Sequence, residues 1–93
     1  MIPVKPSKIV CIGRNYLAHA RELGNELPPE PLIFLKPPSA LLASGGEIVL
    51  PAQSRQVEFE GEIGVVMLER LRQASVADAE RARLGFTCVN DVT

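Results

Sequence analysis

The sequence predicts a mixed α/β fold that is mainly β, with short helices. Short runs of β-branched and other apolar residues, bounded by glycine or proline, recur along the chain, as is typical of strands. Only two segments carry the capping and end signals of helices. With 93 residues and a net charge of -1, the chain has the size of one small domain and no basic stripe for nucleic acid or an anionic membrane.

Three strands are predicted in the first half of the chain, residues 1–50. The apolar runs that predict them, each followed by glycine or proline, are residues 8–12, 32–36 and 47–50. Gly13 is interpreted as a turn after the first run, and Pro37 ends the second, because proline cannot donate a hydrogen bond to a strand ladder. Gly45 and Gly46 predict a further turn.

A short helix is predicted over residues 16–23, with Asn15 as its N-cap and Gly24 at its C-terminal end. His19 and Glu22 are three residues apart on it and share a face, so the carboxylate could orient the imidazole as a general base. An ordinary surface pair is the alternative. Arg14 and Lys36, beside a turn and at a strand end, could meet an anionic substrate or simply be solvated.

The second half contains the longest predicted strand, residues 56–68. Side chains alternate between the faces of a strand, so Glu58, Glu60 and Glu62 share one face, and the apolar run 63–68 that follows is interpreted as buried. Such a row of like charges either binds a cation or forms a solvated edge that discourages aggregation. Gly61 favours the first reading, since a glycine within a strand often permits the close approach of another group.

A second helix is predicted to begin at Ser75, with Asp78 completing an approximate capping box, and to end at Gly85. A final strand over residues 86–89 leads to Asp91. This residue could add a third carboxylate to a cation site or simply belong to a turn. An all-oxygen ligand set favours magnesium, manganese or calcium over zinc.

The remaining signals concern the compartment. The two cysteines, Cys11 and Cys88, lie in apolar runs and are interpreted as reduced core thiols. No signal peptide and no membrane-spanning segment is expected. A cytoplasmic protein with no membrane or nucleic-acid partner is therefore predicted.

Four phrases together resemble the fumarylacetoacetate hydrolase family in order and spacing. They are Gly13-Arg14-Asn15-Tyr16-x-x-His19-x-x-Glu22, Leu35-Lys36-Pro37, Glu60-x-Glu62-Ile63-Gly64-Val65-Val66 and Asn90-Asp91-Val92-Thr93. The resemblance implies a single incomplete domain over residues 1–93, the N-terminal part of the family's β-roll. Residues 1–50 would carry the N-terminal strands and a lid helix, and residues 51–93 would begin the metal-binding β-roll, with a C-terminal half missing.

The same resemblance implies a site. Glu60, Glu62 and Asp91 would hold magnesium or manganese, with calcium a weaker candidate, and Glu58 would be a bystander. His19 and Glu22 would be the catalytic pair on the lid. We assign Arg14 and Lys36 as expected substrate-binding residues.

The activity implied is that of a metal-dependent hydrolase that cleaves a C–C bond in acylpyruvate-type 2-oxo acids such as fumarylpyruvate, in aromatic catabolism. Alternatives are an oxaloacetate decarboxylase, an oxo-acid isomerase or hydratase, a non-catalytic binding fragment, and a structural domain with a solvated acidic strand. The expected partners are a small 2-oxo acid and, when the protein is complete, a second copy in a homodimer. The 93-residue chain alone is expected to be inactive.

Overall fold

A computed structural model describes residues 5–13 and 30–93 of the chain. These residues form strands, one short α-helix and one 3₁₀ turn, which confirms the mainly β fold with short helices. The chain divides into two compact units, Met1–Ile48 and Val49–Thr93. The predicted helix over residues 16–23 lies outside the described residues, and the single domain stays a prediction.

The first unit contains an antiparallel pair of strands, β1 (Ile9–Gly13) and β2 (Leu32–Lys36). β2 has the predicted bounds. β1 begins one residue late and includes Gly13, which was wrongly predicted as a turn. A Cβ on Gly13 would lie 3.0 Å from Cδ2 of Leu32 on the opposite strand, so glycine lets the two strands approach there.

Pro37 and the pair Gly45 and Gly46 have the roles that the sequence predicted. β2 stops at Lys36, and Pro37 leads into the 3₁₀ turn Pro38–Ala40. A β-turn follows, in which the Gly46 amide donates to the carbonyl of Ala43 at 3.0 Å. Gly45 occupies this turn with φ +87°, a conformation that favours glycine.

The prediction of a strand over residues 47–50 is wrong. These residues form no strand and are all exposed, with Val49 at 83% and Leu50 at 67%. An apolar run becomes a strand only where a neighbouring strand satisfies its backbone groups, and no described strand pairs with this one. The division between the two units falls within the run.

The second unit is built on the antiparallel pair β3 (Gly61–Met67) and β4 (Leu84–Asn90). Backbone bonds extend the pairing beyond both strand ends. At one end the Leu68 amide donates to the carbonyl of Arg83 at 3.1 Å, and at the other Glu58 and Thr93 exchange two bonds of 2.8 and 3.0 Å. The acidic strand predicted over residues 56–68 is therefore paired over most of its length, and β4 extends beyond the predicted 86–89 at both ends.

The connection between these strands contains α1 (Val76–Arg81), which begins where the sequence predicts. Oγ of Ser75 accepts a hydrogen bond from the Asp78 amide at 3.1 Å, as an N-cap does. The predicted end at Gly85 is wrong, because Ala82 is already extended and Gly85 lies within β4. Among the described residues, no helix has the length and apolarity needed to cross a membrane.

The apolar face of β3 is open, contrary to the prediction of a buried strand. Ile63, Val65 and Met67 are 65%, 53% and 51% exposed. Cys88, across from Ile63, is also exposed and is not the core thiol that was predicted. The reason is that, among the described elements, extensive packing is limited to pairing within each two-stranded sheet, so no second layer covers this face.

Gly64 packs closely on the carboxylate-bearing face of β3. A Cβ at Gly64 would lie 2.9 Å from Cγ1 of Val89 and 3.1 Å from Cγ2 of Thr87, both on β4. A Cβ at Gly61, in the same strand, would meet nothing within 4 Å. Gly64 is therefore sterically crowded and Gly61 is not, so the two glycines can be compared within one strand.

We expect Gly64→Ala to lower the free energy of unfolding by about 1–3 kcal/mol, because the stiff Val89 side chain must move to admit the methyl group. Gly61→Ala is expected to be neutral or to stabilise by up to about 1 kcal/mol, through the lower entropy of its unfolded chain. Urea unfolding followed by circular dichroism would compare the two variants. Equal stability of both would contradict the steric reading of Gly64.

Candidate metal centre

Three carboxylates meet on one face of the second unit. The Asp91 amide donates to the carbonyl of Glu60 at 2.8 Å, which places these two residues directly across the ladder from each other. Glu62 is two residues farther along the same face and opposite Val89. Each of the three carboxylates offers an oxygen within 4.8 Å of the others, and each residue is half-buried.

The donor set fits a hard divalent cation. All three groups are carboxylates, which magnesium, manganese and calcium prefer to the nitrogen and sulfur ligands of zinc sites. Two oxygens bound to one magnesium ion at about 2.1 Å each can be at most about 4.2 Å apart. A small rotation of the side chains would close the observed spacing of up to 4.8 Å. A cation there would also offset the repulsion among three like charges.

Glu58 shares the face but not the cluster. It is exposed, and its Oε1 accepts a hydrogen bond from Nε2 of Gln56 at 2.8 Å. The cluster contains Glu60, Glu62 and Asp91 without it. The structure thus separates Glu58 from the other two glutamates of the row, while the ligand roles themselves stay predictions.

Asn90 makes a polar contact beside the cluster that the sequence reasoning missed. Its Oδ1 accepts a hydrogen bond from the backbone amide of Glu60 at 2.9 Å, across the two strands. The available signal was an asparagine directly before Asp91 at a strand end, since a short amide side chain readily bonds to nearby backbone groups.

No described residue crowds Gly61, since a Cβ there would meet nothing within 4 Å. The approach of another group at this glycine stays a prediction. The close approach on β3 is at Gly64, on the same face as the carboxylates.

The other predicted site residues belong to the first unit or lie outside the described residues. Lys36 is half-exposed at the end of β2 in the first unit, opposite Ile9. Arg14, His19 and Glu22 lie outside the described residues. Their catalytic and substrate-binding roles stay predictions.

A surface depression of about 430 Å³ lies elsewhere in the second unit. Residues 69–74 of the connection line it together with Asp78 and Arg81 at α1. None of the three clustered carboxylates borders it. The depression and the carboxylate face are therefore separate features.

Comparisons with known proteins agree with the four sequence phrases. The model of the family described as fumarylacetoacetate hydrolase, C-terminal, matches residues 8–93. An uncharacterized protein of Pyrococcus horikoshii is 47% identical over 90 residues, which cover 97% of this chain and 39% of the relative.

Two relatives have named activities. A mitochondrial oxaloacetate decarboxylase of Dictyostelium discoideum is 44% identical over 87 residues, covering 92% of this chain and 40% of the relative. A mitochondrial oxaloacetate tautomerase of Arabidopsis thaliana is 42% identical over 87 residues, covering 94% of this chain and 39% of the relative. The chain thus spans about two fifths of the length of these curated relatives.

Proposed function

Because the chain belongs to the fumarylacetoacetate hydrolase family, we propose that it forms part of a metal-dependent enzyme that acts on a short 2-oxo acid. The observation that carries this proposal is the cluster of Glu60, Glu62 and Asp91, whose oxygens lie within 4.8 Å of one another. Such a set suits magnesium or manganese, with calcium a weaker candidate. The named relatives are enzymes that act on oxaloacetate.

We propose oxaloacetate as the substrate, in decarboxylation or in keto–enol tautomerisation. The two reactions share one electronic demand. Decarboxylation breaks the C3–C4 bond, releases carbon dioxide and leaves the electron pair on C3 and the 2-oxygen. Tautomerisation moves a proton between C3 and the 2-oxygen, so it passes through the same distribution of charge. The relatives named as decarboxylase and tautomerase support this choice over hydrolysis.

A divalent ion held by the cluster would supply positive charge for the 2-oxo and carboxylate oxygens of the substrate and would lower the energy of the enolate. In this proposal the paired strands hold Glu60 and Asp91 opposite each other before the ion binds, which reduces the ordering needed on binding. His19, oriented by Glu22, would carry the proton to and from C3. Arg14 and Lys36 would bind the anionic substrate as cations.

Hydrolysis of an acylpyruvate is the second candidate. The spacing of His19 and Glu22 favours it, since a histidine oriented by a carboxylate can activate a water molecule for attack on the distal acyl carbonyl. Cleavage would then leave pyruvate as the enolate, with the same need for charge stabilisation. A third candidate, of a different functional class, is a non-catalytic module that binds a metal ion or an oxo acid.

A substrate panel would test these proposals. We expect the complete protein to accelerate decarboxylation or tautomerisation of oxaloacetate, measured by pyruvate release and by the decay of enol absorbance. Activity should be lost with a chelator and restored by magnesium or manganese. Because the free ion alone can promote oxaloacetate decarboxylation, the control is Glu60→Ala at the same ion concentration.

The outcomes separate the candidates. Metal-dependent cleavage of fumarylpyruvate with no effect on oxaloacetate would reverse the order of the two enzymatic proposals. Ion binding without turnover of either substrate would favour the binding module.

We also propose that the complete protein is a homodimer located in the cytoplasm, as the resemblance and the cysteine pattern suggest. Size-exclusion chromatography with light scattering would test the dimer, and a monomer at micromolar concentration would contradict it. Fractionation of the source cells would test the location.

A further inference from the structure

The backbone ladder beside the carboxylate cluster is irregular at Glu60. In an antiparallel pair, residues that exchange two backbone hydrogen bonds recur at every second position. Glu58 and Thr93 form one such pair, with bonds of 2.8 and 3.0 Å. Glu60 and Asp91 occupy the next position, where a second exchange is expected.

Only one of the two expected hydrogen bonds joins backbone to backbone. The Asp91 amide donates to the carbonyl of Glu60 at 2.8 Å. The Glu60 amide instead donates to Oδ1 of Asn90 at 2.9 Å. The assigned strand β3 accordingly begins at Gly61, although the pairing extends to Glu58.

Two consecutive residues of the facing strand therefore bond to the backbone of Glu60. Its carbonyl is held by Asp91 and its amide by Asn90. A backbone amide can donate only to an oxygen acceptor of the asparagine side chain, so the bond also sets which way the amide group of Asn90 faces. Glu60 and Asp91 are two of the three clustered carboxylates.

We propose that Asn90 is a positioning residue for the metal centre: its side chain fixes the backbone of Glu60 relative to Asp91 and so sets the separation of their carboxylates before an ion binds. This inference rests on the proposed function, because it assigns Asn90 a role toward the same ion. Asn90 acts through Glu60 and is not itself a ligand of the cluster. Groups that orient metal ligands commonly contribute about 10–100-fold to metal affinity.

The test is a titration of the complete protein with Mn²⁺, in which the electron paramagnetic resonance signal reports the free ion. Asn90→Ala removes the acceptor and is expected to weaken binding by about 10–100-fold. Asn90→Asp keeps the shape and offers a carboxylate oxygen to the Glu60 amide, so it is expected to restore affinity to at least the parent value.

A second readout, hydrogen exchange of the Glu60 amide, needs no metal. In the parent chain the Glu60 amide should exchange with solvent more slowly than the amides of the exposed residues 47–50, and in Asn90→Asp it should remain slow. Fast exchange of the Glu60 amide in the parent would overturn the inference directly.

The outcomes separate this inference from the proposed function. If the parent does not bind Mn²⁺, the proposed function fails and the inference fails with it. If the parent binds and Asn90→Ala binds equally well, the inference alone fails. Loss of binding in both Asn90→Ala and Asn90→Asp would also overturn the inference. An oxygen acceptor at position 90 would then not be sufficient to maintain the affinity for Mn²⁺.

Discussion

Replacing Glu60 or Glu62 by alanine is expected to weaken the proposed binding of magnesium or manganese by more than about 100-fold, since groups that only orient metal ligands already contribute about 10–100-fold. Each substitution removes one of three clustered carboxylates, and two remaining groups hold an ion with less charge and fewer ligands. Isothermal titration calorimetry of the parent and the variants would measure the loss. Metal-dependent turnover by the complete protein should disappear in the same variants.

Glu58→Ala is the matched control for this prediction. Glu58 lies on the same face of the same extended segment, but it is exposed and pairs with Gln56 through a 2.8 Å hydrogen bond. Its removal should change metal affinity by no more than a few-fold, through the loss of one screened charge. Equal losses at Glu58, Glu60 and Glu62 would refute the ligand assignment and favour a diffuse acidic surface.

The stability of the metal-free variants distinguishes loss of ligation from loss of fold. Glu60 faces Asp91 directly across the ladder, and like charges at such positions destabilise a pair of strands by about 0.2–1 kcal/mol. Without metal, Glu60→Ala should therefore be at least as stable as the parent in urea unfolding. A large decrease in stability would mean that Glu60 holds the fold rather than an ion.

Replacing His19 by alanine is expected to leave metal binding intact and to reduce hydrolysis of an acylpyruvate by about 100–10,000-fold. The reason is that the imidazole is proposed to activate the attacking water, whereas the ion is assigned to residues 60, 62 and 91. Decarboxylation requires no attacking water and should fall less. Rates on oxaloacetate and on fumarylpyruvate, measured beside Mn²⁺ affinity, would test this.

Glu22→Gln provides the companion variant. It keeps the size of the side chain and removes the charge proposed to orient His19, so its effect on hydrolysis should be in the same direction and smaller. Unchanged hydrolysis in His19→Ala would remove the histidine from the mechanism. Loss of metal binding in His19→Ala would instead place it near the ion.

The sequence predicted the strands best where local signals agree with pairing. β2 has its predicted bounds because Pro37 ends it, whatever its neighbour. α1 begins after Ser75 because its hydroxyl oxygen accepts the amide of Asp78, three residues along the chain. Both devices act over a few residues, and local sequence is sufficient to predict them.

The errors arose where a partner at long range decides the outcome. Residues 47–50 have a strand-like composition but no described strand beside them, and they remain irregular. Gly85 resembles a helix end but is drawn into β4 opposite Val66. Ile63 belongs to an apolar run, yet no second layer covers its face in the described structure.

The candidate site divides in the same way. The sequence by itself determined that Glu58, Glu60 and Glu62 share a face, because alternation follows from the pleat of a single strand. The phrases that include Glu60, Glu62 and Asp91 also sufficed to predict the family, which the comparisons confirmed.

Only the tertiary structure decided which oxygens meet. The register of β3 with β4 places Asp91 opposite Glu60, and the side chain of Asn90 then takes the Glu60 amide from 30 positions away in the chain. Glu58 is not part of the cluster, and its Oε1 accepts a hydrogen bond from Gln56 instead. Register depends on many cross-strand bonds and contacts formed together, so no local pattern in either strand could have specified it.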